Sequence, residues 1–411
     1  LHIWLPHAHP AAPSHISAVL SGVMIKMGIY GLMRTILIVK DFPEWCAALL
    51  LVVGMISGVG GVLYALGQHE IKKLLAYHSI ENIGIIALGM GIGLWGQIGH
   101  QGSVTLIGYA GALLHVFNHA IFKGLLFLSA GSVIRSTHTG EIDRLGGLLR
   151  SLPWTGHLFL IGSLAICGLP LFNGFVSEWL VYRALFEGMF HFKINALVFS
   201  GMAIISLALI GGLAAACFAK AFGTIFLGNS RSVIAPVEES PWLMRVPMAV
   251  LGGICLWVGL FPGTMVSFSL GAAAMISGVK ITALSEQTIL NPIVTVILVL
   301  LILVGTMTVL ALLKMASMKF LPVETALTWA CGYSTPSPRM QYTASSFAQP
   351  ILQIFRNVLG VEFSEDFIFR PVFQFIKTLS AKLKIIQNGY TQWYLLYIFV
   401  FLLILLIWKM A

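Results

Sequence analysis

Apolar runs of about twenty residues, the length that crosses a bilayer as a helix, recur along nearly the whole chain. They predict spans near 17–39, 44–67, 75–95, 103–135, 155–188, 194–227, 244–276, 291–315 and 392–409, roughly nine helices. Several are longer than one crossing needs, so tilt or a break is expected. The clearest break falls in 155–188, where Cys167-Gly168-Leu169-Pro170-Leu171-Phe172-Asn173-Gly174 interrupts the apolar pattern in mid-span. Proline removes a helical hydrogen bond and glycine loosens the backbone, and broken helices persist in membranes where they are buried or line a wet cavity. Between the last two spans the pattern changes. A turn-rich piece (332–338) is followed by Phe367, Val372, Ile376, Leu379, Leu383 and Ile386 at helical spacing, with Arg370, Lys377 and Lys384 on another face. That is an amphipathic helix suited to the interface plane, packed either on its own chain or on a neighbour.

Composition agrees with an all-α polytopic membrane bundle. The 411 residues are 58% hydrophobic and 9% charged, with a mean hydropathy of +0.92. The net charge of +9 is carried by scattered residues with no basic block or nucleic-acid motif, which argues against nucleic acid as a partner. Alternating the loops puts Lys72, Lys73, Arg135, Arg144, Arg150, Lys220, Arg231, Arg245, Lys314 and Lys319 on one side, and Arg34, Lys40, Arg183, Lys193 and Lys280 on the other. The positive-inside rule makes the first side cytoplasmic. The five cysteines (Cys46, Cys167, Cys217, Cys255, Cys331) are scattered without a C-x-x-C pair, so neither an iron–sulfur nor a zinc site is expected, nor any other cofactor. The opening His2-Ile3-Trp4-Leu5-Pro6 has neither an initiator Met nor a signal pattern, and a piece lacking its N-terminal helices is expected. The predicted division is a transmembrane domain over 1–315 with about eight spans, a cytoplasmic-side linker and lateral helix over 316–391, and a final anchor over 392–411.

Against this apolar background the ionisable residues inside spans carry the functional signal, because a charge at the bilayer centre costs at least about 2.5–3.5 kcal/mol and marks an ion or proton path. His115, His119 and Lys123 follow at i, i+4 and i+8, one stripe of a helix about 12 Å long. Two histidines at this spacing can bind zinc, but no H-E-x-x-H pattern or third ligand accompanies them. Core histidines bonded to Ser or Asn, and a proton relay through neutral imidazoles, are the remaining readings. Lys26 lies mid-span, too far from either end to snorkel, and can exchange its proton or serve as a fixed counter-ion. Glu178 follows the helix break, as a switchable acid or as the structural partner of Arg183. His78 and Glu81 lie about one turn inside a span and are either a point of proton access or an interface ion pair. His15 belongs with His2, His7 and His9 to a polar, proline-rich approach to the first span, where a surface or interhelical role, a metal site and proton access remain open.

Four stretches carry a family likeness: 2–9 with 12–18, Ile71-Lys72-Lys73-Leu74-Leu75-Ala76-Tyr77, His119-Ala120-Ile121-Phe122-Lys123-Gly124-Leu125-Leu126-Phe127-Leu128, and Gly168-Leu169-Pro170 to Glu178. Over about residues 1–315 the chain resembles the antiporter-like membrane subunits shared by respiratory complex I, multisubunit sodium/proton antiporters and membrane-bound hydrogenases. The run 24–34 and the tail 331–333 with 338–348 are similar to the large membrane subunits of formate hydrogenlyase and hydrogenase-4 complexes. The resemblance implies inverted five-helix repeats, each with a broken helix, joined by a hydrophilic axis. Lys26 then matches a central lysine, His115, His119 and Lys123 the connecting basic groups, and Glu178 the terminal position. Ser21 stands where some members carry His, and a Glu and a Lys of the first repeat would lie upstream of Leu1. The implied protein is a non-catalytic, proton-translocating subunit in a bacterial inner membrane. Its implied partners are other membrane subunits and peripheral hydrogenase, iron–sulfur and formate dehydrogenase subunits. A structural anchor that moves no ion, and a sodium/proton antiporter subunit, are the alternatives.

Overall fold

The computed structural model describes residues 4–39, 41–191, 194–231, 237–281, 283–318, 340–355, 370–384 and 389–410. Lys40, Lys193, Lys319, Cys331 and both flanks of the predicted 367–386 helix lie outside them. The chain separates into two compact units, Leu1–Gln353 and Ile354–Ala411.

The first unit is built from helices alone. Two short ones, α1 (Trp4–Ala11) and α2 (Ser14–Val19), lead through a π-helical turn, Leu20–Met24, into α3 (Lys26–Ile38). Then come α4 (Glu44–Leu66), α5 (Ile71–Ile98), α6 (Gly102–Thr137), α7 (Pro153–Ile166), α8 (Asn173–His191), α9 (Ile194–Phe226), α10 (Trp242–Leu260), α11 (Gly263–Ser277), α12 (Ala283–Ser317) and α13 (Ala344–Ile354). Seven helices or continuous helical stretches among the described residues are long and apolar enough to cross a membrane. The second unit contains α14 (Arg370–Leu383), with Ile376 and Leu379 on one flank and Lys377 on another, and the apolar α15 (Thr391–Met410).

Local chemistry accounts for the boundaries. Glu70 caps α5, its carboxylate accepting from the backbone N–H of Lys72 (3.1 Å) and Lys73 (2.6 Å), a contribution of about 1 kcal/mol. Burial raises the Glu70 carboxyl above the ordinary value, with those two N–H groups opposing the shift. The predicted 155–188 span is two helices, α7 and α8, parted at the foreseen break. The predicted 244–276 span is also two, α10 and α11, which the pattern did not show. Pro262 cannot donate to the helical ladder and disfavours helix at Phe261, where the backbone opens to φ −124° and ψ 64°.

Two apolar clusters lie one above the other along these helices. Ile85 to Trp95 of α5, Tyr109 to Leu114 of α6 and Ile29 to Ile36 of α3 belong to one. Ile71 to Leu75 of α5, Phe122 to Val133 of α6 and Ala18 of α2 belong to the other. The seam between them is polar at the π turn and on α3, α5 and α6, holding Ser21, Lys26, His78, Ser79, Glu81, Asn82, His115, Asn118 and His119, all buried. Close helix contact makes the seam possible. A Cβ on Gly61 of α4 would stand 2.6 Å from the Glu81 backbone nitrogen of α5, so only glycine lets α4 seal the back of the Glu81 turn. Gly61→Leu overpacks this contact at a cost of about 1–3 kcal/mol or more. A lower melting temperature of the detergent-solubilised protein is the expected result, and an unchanged one would show that the two helices can separate freely.

Candidate functional site

The π turn decides where the first charge points. Two residues after it, at the start of α3, Lys26 is buried and its ammonium donates to the Ser21 carbonyl, a group that the widened turn contains. Turns of this kind gather at functional positions because they free a backbone oxygen from the helical ladder. No carboxylate bonds Lys26 among the described residues, so the geometry does not support the counter-ion alternative. The Ser21 hydroxyl continues to the Ser79 hydroxyl of α5 at 2.7 Å, and Ser79 donates to the Leu75 carbonyl at 3.2 Å. That same carbonyl accepts from the Lys123 ammonium of α6 at 2.5 Å. Lys123 is fully buried, with its ammonium 5.9 Å from the centre of the Phe127 ring, a favourable cation–π arrangement. The two lysines are thus joined by a serine pair and one shared carbonyl.

A second chain runs beside the first. Glu81 and His78 Nδ1, one turn apart on α5, form a fully buried hydrogen-bonded pair. Lys123 acts on Glu81 electrostatically. Asn82 donates to the His78 carbonyl at 2.8 Å and offers its Oδ1 to His115 Nε2 at 3.1 Å. His115 Nδ1 meets the Ser177 hydroxyl at 2.9 Å, and Ser177 also accepts from Asn118 at 3.0 Å. Asn118 in turn donates to the Asn173 carbonyl at 2.7 Å, at the first residue of α8. His119 sits 6.4 Å from His115, ring to ring, with neither nitrogen bonded among the described residues.

Ser177 closes the bonded chain, and the next residue is Glu178. Its carboxylate faces the break: a Cβ on Gly168, whose φ is +62°, would stand 2.3 Å from Glu178 Oε2. Glu178 also lines a cavity of about 600 Å³ with Cys167, Phe175, Trp179, Tyr182 and Arg183. Arg183 is not its ion-pair partner. The guanidinium bonds Glu187 at 2.9 Å and the Thr288 carbonyl at 2.9 Å, because i, i+4 spacing on α8 favours Glu187. No three His, Cys, Asp or Glu side chains among the described residues are grouped to hold a metal ion.

The comparisons with known proteins fall on this seam. A family model described as "NADH:quinone oxidoreductase/Mrp antiporter, TM" matches residues 1–205, which include every residue of both chains and Glu178. The chain belongs to this antiporter-like family. It is 34% identical to hydrogenase-4 component B of Escherichia coli, an alignment over 99% of this chain and 66% of that protein. It is 36% identical to formate hydrogenlyase subunit 3 of the same organism, over 87% and 58% respectively. The chain therefore spans less than two thirds of these relatives' lengths. Among solved structures, one from the archaeal membrane-bound sulfane sulfur reductase complex shares the fold, with a TM-score of 0.71 and 23% identity over 99% of this chain and 65% of that one. Family membership and the apolar helices make this an integral membrane protein.

With the antiporter-like family as frame, the candidate residues fall into three groups. Lys26 and Lys123 are joined by bonds, and so are His78, Glu81 and His115. His119 is placed beside them without a bond. His15 stands apart, exposed at a surface cavity of about 420 Å³ that Arg135 and Met244 also line. The connecting groups Ser79, Asn82, Asn118, Asn173 and Ser177 were not singled out by sequence reasoning, since small polar residues are common in apolar helices as local bonds to their own backbone. His9 was read only as part of a polar approach. It is fully buried, stacked 4.6 Å from the Phe127 ring, with neither ring nitrogen bonded among the described residues. Lys72 and Lys220, read as loop charges, are buried: Lys72 donates to the Ala12 carbonyl at 2.8 Å, and Lys220 lies within α9.

Proposed function

We propose that this chain is the proton-translocating, antiporter-like membrane subunit of a formate hydrogenlyase or hydrogenase-4 type complex. The observation that carries the proposal is the pair of buried hydrogen-bonded chains, Lys26 to Lys123 and Glu81 to Ser177 beside Glu178, in the seam between two apolar layers. A fixed scaffold gains little from such a seam, because well-packed apolar residues of similar volume stabilise as well or better than buried charges. A proton path needs the opposite, titratable groups set among hydroxyls and water, where each protonation changes the energy of the next.

In this reading the Ser21 and Leu75 carbonyls hold the Lys26 and Lys123 ammoniums, and the two lysines exchange a proton by way of water beside the Ser21–Ser79 hydroxyl pair, while His115 links the Glu81–His78 pair to Ser177 next to Glu178. Redox chemistry belongs to partner subunits, namely peripheral hydrogenase, iron–sulfur and formate dehydrogenase chains, with other membrane subunits alongside. The membrane is the bacterial inner membrane. The lysine- and arginine-rich loops face the cytoplasm, and α14 lies at that surface ahead of the α15 anchor.

The test is proton movement per turnover in membrane vesicles carrying the whole complex. Lys26→Ala and Glu178→Gln each lower it at least about tenfold, equivalent to about 1.4 kcal/mol, at unchanged content of assembled complex. Full proton movement in both variants would leave only the anchor role. Activity that follows sodium rather than protons would assign the antiporter alternative.

A further inference from the structure

One end of α9 brings a buried lysine to the floor of a surface cavity, outside both chains described above. The cavity, about 470 Å³, lies between α9 and the 340–353 segment and is lined by Lys220, Gly223, Thr224, Arg231, Gln341 and Tyr342. Tyr342 at its rim is 78% exposed, whereas Lys220 at its floor is 1% exposed. The Lys220 ammonium crosses to the turn between α4 and α5 and donates to the Leu66 carbonyl at 2.6 Å and the Gln68 carbonyl at 2.9 Å. Two and three residues before Lys220 on α9 are Phe218 and Cys217. The Phe218 ring lies 4.6 Å from the His78 ring, so this end of α9 packs directly against His78. His78 Nδ1 holds Glu81. A lysine has therefore been buried between the wet surface and the outer member of the second chain, in a position that a topology-setting charge would not occupy.

We propose that this cavity is the mouth of a proton inlet that feeds the Glu81–His78 pair by way of Lys220. The inlet rests on the proton-translocation reading above. In each cycle the Lys220 ammonium passes one proton toward His78 and Glu81, and the neutral amine recovers one from water in the cavity, so that charge and protons balance. The two carbonyls hold the ammonium at the floor between transfers. The far wall is supplied by the 340–353 segment. Gln341 clasps the backbone of Asn229 through both amide atoms, at 3.1 and 3.0 Å, and the Tyr342 carbonyl accepts from Arg231 at 2.8 Å. That segment is thus a structural part of the mouth, and its grip on 229–231 sets how wide the mouth stands.

Two substitutions test the inlet in vesicles that carry the intact complex, with Glu178→Gln as reference. Gly223 lines the cavity and has nothing within 4 Å of an added Cβ, so a Gly223→Phe side chain leaves the backbone without a clash and takes up cavity volume. Lys220→Met keeps the side-chain length and removes the proton carrier. Both lower proton movement per assembled complex about tenfold or more, and Lys220→Arg, which bonds the same carbonyls but holds its proton, does not restore it. If Lys220→Met fails to assemble, Gly223→Phe decides alone. Normal proton movement in Gly223→Phe, with Glu178→Gln defective, overturns the inlet and leaves the path intact. Normal movement in Glu178→Gln as well overturns the path, and the inlet with it.

Discussion

Replacing Lys123 by methionine reduces proton movement by about a hundredfold, close to 2.7 kcal/mol in barrier terms, while the complex still assembles. Lys123 is the only one of the three candidate basic groups on its helix stripe that bonds into the Lys26 chain, and it does so through the Leu75 carbonyl that Ser79 also uses. Methionine has nearly the same length and lies against Phe127 as favourably. The Leu75 carbonyl keeps Ser79 as its donor, so no buried acceptor is orphaned. What disappears is the proton and the charge that acts on Glu81. Proton movement and the content of assembled complex, measured on the same vesicles, separate the two effects. Undiminished movement would show that the path bypasses Lys123.

Gly168→Val is the second large expectation, and here geometry acts through two routes. The residue holds φ at +62°, a conformation that costs a non-glycine residue about 1–2 kcal/mol and a β-branched one more. The added Cβ would overlap the Glu178 carboxylate, 2.3 Å from Oε2. The α7–α8 break cannot close around a displaced Glu178, so the variant either accumulates poorly or assembles with proton movement as low as in Glu178→Gln. Quantifying the chain in membranes and then proton movement per chain distinguishes these outcomes, and both fit the placement. A Gly168→Val complex with normal abundance and normal movement would show that Glu178 does not depend on the break.

Much of the site could be read from residue type and spacing because charged groups are costly in hydrocarbon. Lys26, Lys123, His115 and Glu178 stand out against apolar neighbours, and the Cys167–Gly174 break carries its own glycine and proline markers. The relays between them could not be read in the same way. A serine or asparagine in an apolar helix has the same local signature whether it bonds its own carbonyl or a histidine on another helix, and Asn82 does both. Lys220 illustrates the opposite error. A lysine seven residues from the end of the predicted 194–227 run counts as a charge that reaches the loop, but Lys220 turns inward to the Leu66 and Gln68 carbonyls and is buried. The π turn at Leu20–Met24 contains one glycine, Gly22, but the ordinary helix α3 after it also contains glycine, so nothing in the sequence of the turn separates it from α3, although it aims Lys26 at Ser21.

The linear order of residues determined that the chain is helical and membrane-embedded, and which titratable groups it must shelter, since hydropathy and the cost of burying charge act on each residue wherever the helices lie. Only the tertiary packing decided that those groups meet. Ser21 with Ser79, Asn82 with His115 and His115 with Ser177 are contacts between different helices, 58, 33 and 62 residues apart in sequence. They exist because two apolar layers stack with their polar turns in register. Hydrogen bonds of this kind depend on distance and angle to within a few tenths of an ångström, a precision set by how glycine-lined helices such as α4 and α5 close on each other and not by the order of residues along any one of them.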